Sequence, residues 1–229
     1  MNLTGAEWAA LGLSLKVSFW AVLISLPFAI AMAWLLARRD FPGKSLLSAL
    51  VHLPLVLPPV VTGYLLLLTF GKTGAVGAWL NEIGIVLAFR WTGAALAAAI
   101  MGFPLMVRAI RLAIESVDPK LEEAAETLGA GRTARFTRIT LPLIAPGILA
   151  GVVLGFAKAM GEFGATITFV ANIPGETQTL PSAIYAFLQV PGGEEGAIRL
   201  TLLAVAVAIG AVLISEWLAR RVSRGIGRT

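Results

Sequence analysis

Residues Asp118–Pro142 read DPKLEEAAETLGAGRTARFTRITLP, a polar island between two long apolar segments. Asp118 is a residue type that caps helix N-termini, and Pro119 suits the first helical position, where its missing N–H costs nothing. Leu121, Ala124, Ala125 and Leu128 follow at i, i+3, i+4 and i+7. The apolar residues therefore share one face, and Lys120, Glu122, Glu123 and Glu126 take the others. Gly129 stands where a glycine commonly ends a helix. The spacing predicts a short helix that begins after Asp118 and stops at Gly129. Charges of both signs flanked by hydrocarbon must stand in water, either as a solvated connection or as a compact, partly apolar knob that another protein can grip.

Outward from this island the chain is mostly hydrocarbon. Of its 229 residues 58% are hydrophobic and 14% charged, with a mean hydropathy of +0.86, which excludes an ordinary soluble domain. The runs Val17–Ala37, Ser45–Gly71, Trp91–Val107, Ile139–Ala157 and Leu200–Ser215 lack acidic and basic residues. Each is near, or extendable to, the roughly 20 residues that cross a bilayer. The expected class is an all-α, polytopic membrane protein with about five transmembrane helices. Taken alternately, the connections 38–44 and 108–138 and the C-terminal tail carry thirteen basic residues, against four (Lys72, Arg90, Lys158, Arg199) on the other side. By the positive-inside rule the 118–142 island and the C-terminus face the cytoplasm and Met1 the periplasm. The net charge of +5 follows from this orientation. The cations form no patch with interleaved aromatics, so nucleic acid is not an expected partner.

The absence of cysteine excludes disulfides, thiolate metal sites and a cysteine nucleophile. No basic region precedes the first apolar run, so no cleavable signal peptide is expected. Gly43-Lys44-Ser45 and Gly71-Lys72-Thr73 mimic the end of a phosphate-binding loop, but the required upstream glycine is replaced by Arg38 and Leu66. No paired carboxylates, Ser/His/Asp arrangement or metal-ligand cluster is recognisable, so the chain is expected to be non-catalytic and to carry neither cofactor nor metal. His52 has no Asp, Glu or Cys near it in sequence and is expected to be structural.

Two stretches are irregular. Residues 53–64, LPLVLPPVVTGY, place Pro54, Pro58, Pro59 and Gly63 in one apolar segment, and each proline removes a backbone donor and favours a kink. Broken backbone at membrane depth is tolerated where it is buried in protein or lines a wet cavity. Pro58, Pro59 and Thr62 are thus candidate pore or gate residues, the alternative being a kink kept for packing. Lys158 and Glu162, at i and i+4, can pair near the membrane boundary, as a functional or a structural ion pair; with Thr166 they complete the candidate gate set. The stretch from Gly161 to Pro181 is too polar to span and too apolar to be a free loop, so it is expected to lie at or dip into the outer surface. A short helix fits after Pro181, stopped by Pro191-Gly192-Gly193.

Glu123-Ala124-Ala125, three residues, Gly129, nine residues and Ile139-Thr140-Leu141-Pro142 resemble, at every fixed position, the EAA pattern of the membrane subunits of ABC importers. The resemblance implies a type I importer permease fold over one transmembrane domain, residues 1–229. The loop at about 112–141 would hold a coupling helix that docks in a groove of a cytoplasmic ATPase through Glu123, Ala124, Ala125, Gly129, Ile139, Leu141 and Pro142. Small residues suit such a close approach.

The likeness extends through Phe41-Pro42-Gly43-Lys44, the proline-rich 53–64 segment, Thr127–Ala130, Gly161–Ala165 and ANIPGETQTLP at 171–181. Together these look like the permease family of molybdate importers, with tungstate expected to share the route. Gly161–Ala165 is shared with sulfate permeases; the 171–181 stretch tilts toward molybdate. What the resemblance implies is a homodimer in the inner membrane, seated on two cytoplasmic ATPase subunits and fed by a periplasmic molybdate-binding protein. Some relatives carry an additional N-terminal helix; with the first span so near Met1, only the core of five is expected here. A sulfate or thiosulfate permease is the alternative within the class. A stand-alone anion carrier is disfavoured because no internal repeat is apparent and the EAA spacing would have no role.

Overall fold

The computed structural model describes residues 3–226, and Arg228 and Thr229 of the basic tail lie outside them. Eleven helices follow in order. The first, α1 (Gly5–Arg38), starts well before the charge-free run at Val17. Thr4 caps it, accepting from Glu7 N–H, while Glu7 Oε2 accepts from Thr4 N–H at 2.6 Å, the reciprocal box that T-x-x-E encodes. At 34 residues α1 is about 50 Å long, well beyond the roughly 30 Å of hydrocarbon. After it, Lys44 pairs with Asp40 at 2.9 Å and holds that carboxyl below the usual carboxylate range. Gly43, at φ +87, turns the chain into the next helix.

The run Ser45–Gly71, expected as one kinked span, is two helices, α2 (Lys44–Val56) and α3 (Pro59–Phe70), bent by 111°. Leu57 and Pro58 each precede a proline, which disfavours helical backbone; both are extended, at ψ 143 and 133. Pro54, by contrast, stays inside α2. Four helices are long and apolar enough to cross a membrane unbroken: α1, α5 (Trp91–Glu115), the helix from Arg132 to Met160, and α11 (Glu194–Ile226). With the bent pair counted as one span the total is five. A short α4 (Gly77–Glu82) lies between α3 and α5.

The central helix is α5, whose buried face is built from small residues, among them Ala94, Ala95, Ala97, Ala98 and Gly102. After α6 (Pro119–Thr127) and α7 (Arg132–Arg135), a π turn over Phe136–Thr140 leads into α8 (Leu141–Met160). Gly147, Gly151 and Gly155 form a stripe on α8 that α5 covers. A Cβ on Gly147 would overlap Ala113, and one on Gly151 would lie 3.2 Å from Ile110. With lipid as apolar as the side chains, such close packing is what holds helices together. The four-residue spacing of these glycines is the sequence signal of this contact.

Beyond α8 come α9 (Gly164–Val170) and α10 (Leu180–Leu188), the latter in the place expected for a short helix, with Gly192 at φ +78 behind it. Both α1 and α11 start at one end of the bundle, where Arg199 contacts the buried Glu7 at 3.0 Å and Leu180 N–H donates to Ser14 Oγ at 2.7 Å. They run toward the other end, where Arg38 meets α6.

Candidate functional site

The polar island forms the helix its sequence predicts. Asp118 Oδ1 accepts from Lys120 N–H at 2.9 Å and Pro119 takes the first position. At the far end Gly129 is left-handed at φ +82. Gly129 N–H donates to the Glu126 carbonyl and Ala130 N–H to the Ala125 carbonyl, both at 2.9 Å, the paired bonds of a Schellman stop.

No residue of α6 is buried. Leu121, Glu123, Ala124 and Leu128 are exposed, Leu128 at 88%. The apolar face, Ala125 apart, therefore points away from the bundle, and among the described residues none covers Leu121, Ala124 or Leu128. Ala125 is half-buried, and Ile139, Leu141 and Pro142 are half-buried on the helix that follows.

What turns toward the bundle is Glu122, which the spacing had placed on a solvent face. Its Oε1 accepts from Arg38 Nη2 at 3.2 Å and from Thr140 Oγ1 at 2.7 Å. The first bond ties α6 to the last turn of α1; the second ties it to the π turn at the root of α8. Arg135 pairs with Glu126, and Phe136 packs edge-on against Trp34 at 5.3 Å. The helix is thus held at both ends while its outer face stays open.

The candidate gate residues gather at a second place. Gly63 and Gly164 let α3 and α9 meet backbone to backbone: a Cβ on Gly63 would fall on the Ala165 carbonyl, and one on Gly164 would lie 2.7 Å from Pro59 Cβ. Pro58 and Pro59 are exposed at the break. Thr62 is 5% exposed, and its Oγ1 has no hydrogen-bond partner among the described residues. Across the junction, Glu162 Oε1 accepts from Ala165 N–H at 2.9 Å, and its Oε2 lies 2.9 Å from Lys158 Nζ. Thr166 is buried and donates to the Phe163 carbonyl at 2.9 Å. The pair at i, i+4 therefore forms, while the other oxygen of Glu162 holds the first turn of α9 through Ala165 N–H. His52 Nδ1 contacts the Ser48 carbonyl at 2.8 Å within its own helix. Among the described residues no group of three His, Asp or Glu could hold a metal ion.

This arrangement is the fold of the type I ABC importer permeases. A bacterial alginate ABC transporter, solved in complex with a periplasmic protein carrying an alginate pentasaccharide, superposes on 96% of this chain and 80% of its own, with a TM-score of 0.76 at 22% identity. Residues 25–227 match the binding-protein-dependent transport system inner membrane component family, and the chain belongs to that family. It is 62% identical over 229 residues, the whole of both chains, to the molybdenum transport system permease protein ModB of Escherichia coli K12. A sulfate transport system permease protein, CysT of the same organism, is 40% identical over 181 residues, 79% of this chain and 65% of that protein. The chain is accordingly a multi-pass membrane permease.

Proposed function

We propose that this chain is the membrane permease of an ATP-driven importer that carries molybdate, and tungstate with it, across the cytoplasmic membrane. The observation that carries the reading is α6: a helix capped at both ends, anchored by Glu122, with Leu121, Ala124 and Leu128 facing outward. An exposed apolar helix face among charges is a docking surface in want of a partner, and the ATPase of an importer supplies the groove. Molybdate is supported by the full-length likeness to a molybdenum permease and by the ANIPGETQTLP stretch.

In this mechanism two copies of the chain enclose a polar path, because a tetrahedral dianion cannot cross hydrocarbon unaided. A periplasmic binding protein selects the anion and delivers it. Two ATPase subunits close on ATP and push α6, with Glu123 at the groove and Gly129 setting the turn. The push passes through Glu122 to Arg38 on α1 and to Thr140 at the root of α8. The break at Pro58-Pro59 and the junction of α3 with α9, with Lys158, Glu162 and Thr166 on the α9 side of it, form the moving gate. In the same reading α6 and the end of α11 are cytoplasmic and the start of α1 periplasmic, an orientation that the distribution of basic residues supports.

Co-purification tests the assembly. A detergent-stable complex with an ATP-binding subunit is expected; isolation of this chain alone, active in anion transport without ATP, would make it a secondary carrier instead.

A further inference from the structure

At the end of α5 far from α6 lies a cavity of about 510 Å³ whose wall includes Lys16, Lys72, Arg90 and Trp91 on one part and Ile173 and Glu176 on another. With Lys16, which lies within α1, the four basic residues of the connections on this side, Lys72, Arg90, Lys158 and Arg199, make five at this end of the bundle. Two are neutralised, Lys158 by the buried Glu162 and Arg199 by the buried Glu7. The other three have no carboxylate within ion-pair distance among the described residues, and all three line this one cavity. Against them stands a single acid, Glu176.

The wall is stiffly built. Lys16 Nζ sits 3.8 Å above the Trp91 ring, a cation–π contact that positions the ammonium without neutralising it. Arg90 is presented by a turn that Arg90 N–H closes onto the Leu87 carbonyl at 3.3 Å, with Phe89 at φ +59. A non-glycine residue in left-handed backbone is strained, and such strain tends to be kept where a side chain must be aimed. The opposite wall is the IPGET part of the 171–181 stretch. Buried Thr177 Oγ1 accepts from Ile173 N–H at 2.9 Å, while the Ile173 carbonyl accepts from Glu176, Thr177 and Gln178 N–H.

We propose that this cavity is an anion-receiving vestibule, in which Lys16, Lys72 and Arg90 hold a tetrahedral oxyanion dianion between its release from the binding protein and its entry into the path. The proposal rests on the importer reading and adds to it a site on the permease itself. Its concavity favours a small ion over a protein surface: the volume falls within the range of small-ligand pockets. Three cations against one acid suit a doubly charged guest, and their exposure keeps the hold weak and salt-dependent, as a passage site requires.

The test uses the permease–ATPase complex in nanodiscs, without binding protein, and measures equilibrium binding of labelled molybdate and labelled sulfate. Saturable binding that weakens as NaCl rises is expected. In the combined variant Lys16→Gln, Lys72→Gln, Arg90→Gln the dissociation constant should rise by roughly tenfold or more, since hydrogen bonds to charged groups are the strong ones. Arg90→Lys, which keeps the charge, should retain saturable binding. No saturable binding by the unaltered complex, or equal binding by the triple variant, would overturn the proposal. So would a triple variant that binds the anions normally but no longer co-sediments with the binding protein, because the cluster would then be a docking patch. Should the complete importer carry sulfate and not molybdate, the substrate reading fails, while sulfate binding at the cluster still decides the vestibule.

Discussion

Arg38, the last residue of α1, donates to Glu122, one turn into α6, at 3.2 Å. Both side chains are largely withdrawn from water, at 19% and 24% exposure, so the ion pair is better shielded than the exposed pairs that contribute little. Because the same Glu122 oxygen accepts from Thr140, one carboxylate joins a surface helix to two membrane helices.

Glu122→Ala should therefore loosen α6 from the bundle without altering its outer face. Loss of hydrogen bonds to a charged group costs about 1.5–3 kcal/mol. Thermal unfolding in detergent should fall, and ATP hydrolysis should proceed with uptake reduced. A double-mutant cycle with Arg38→Ala should show coupling between the two residues; additive effects would mean the contact transmits nothing.

Substitutions at Gly129 separate backbone strain from crowding. Nothing lies within 4 Å of the position a Cβ would take there, so only the left-handed φ of +82 opposes a side chain, at about 1–2 kcal/mol for an ordinary residue. Gly129→Val should impair docking of the ATPase and Gly129→Asn should be tolerated, as read by co-purification yield. Equal behaviour of the two would show that the turn is not what matters. Glu123→Lys, on the exposed face, should leave the protein inserted and folded but weaken the ATPase complex by several kcal/mol if an acidic contact is reversed there.

The junction of α3 and α9 has no room. Gly63→Ala would drive a methyl into the Ala165 carbonyl, backbone that cannot swing aside, and overpacking of this kind costs about 1–3 kcal/mol. Reduced thermal stability with loss of uptake is expected, whereas Gly5→Ala, with nothing within 4 Å, should be silent. Wild-type stability of Gly63→Ala would mean the two helices separate readily.

What could be read from sequence was what is local. The Asp118 cap, the Gly129 stop and the Lys158–Glu162 pair each depend on residues a turn or so apart, and all three are present in the structure. The inward turn of Glu122 was hidden because its partner Arg38 is 84 residues away. The Glu7–Arg199 contact joins positions 192 apart. The true start of α1 was legible, for Thr4 and Glu7 spell a capping box, yet Lys16 draws attention to a later start. The prolines announced a kinked span without saying which of them would break it; that Pro54 stays helical while the chain turns by 111° at 57–58 depends on what α2 and α3 pack against, which only the fold supplies. The gate stretches, 53–64 and 161–166, gave no sign of being neighbours, since the glycines that let them touch are meaningful only once both helices are in place.

Competition uptake tests the central claim most directly. The permease is reconstituted in proteoliposomes with its ATPase and binding protein, and ATP-dependent entry of labelled molybdate is followed against excess unlabelled anions. Molybdate and tungstate should each suppress uptake of the label, and sulfate should leave most of it, because a site sized for the larger tetrahedron leaves hydrogen-bond donors out of reach of the smaller, at about 1.5–3 kcal/mol for each charged hydrogen bond lost. Uptake abolished by sulfate but not by tungstate, or molybdate entry that needs no ATP, would contradict the account.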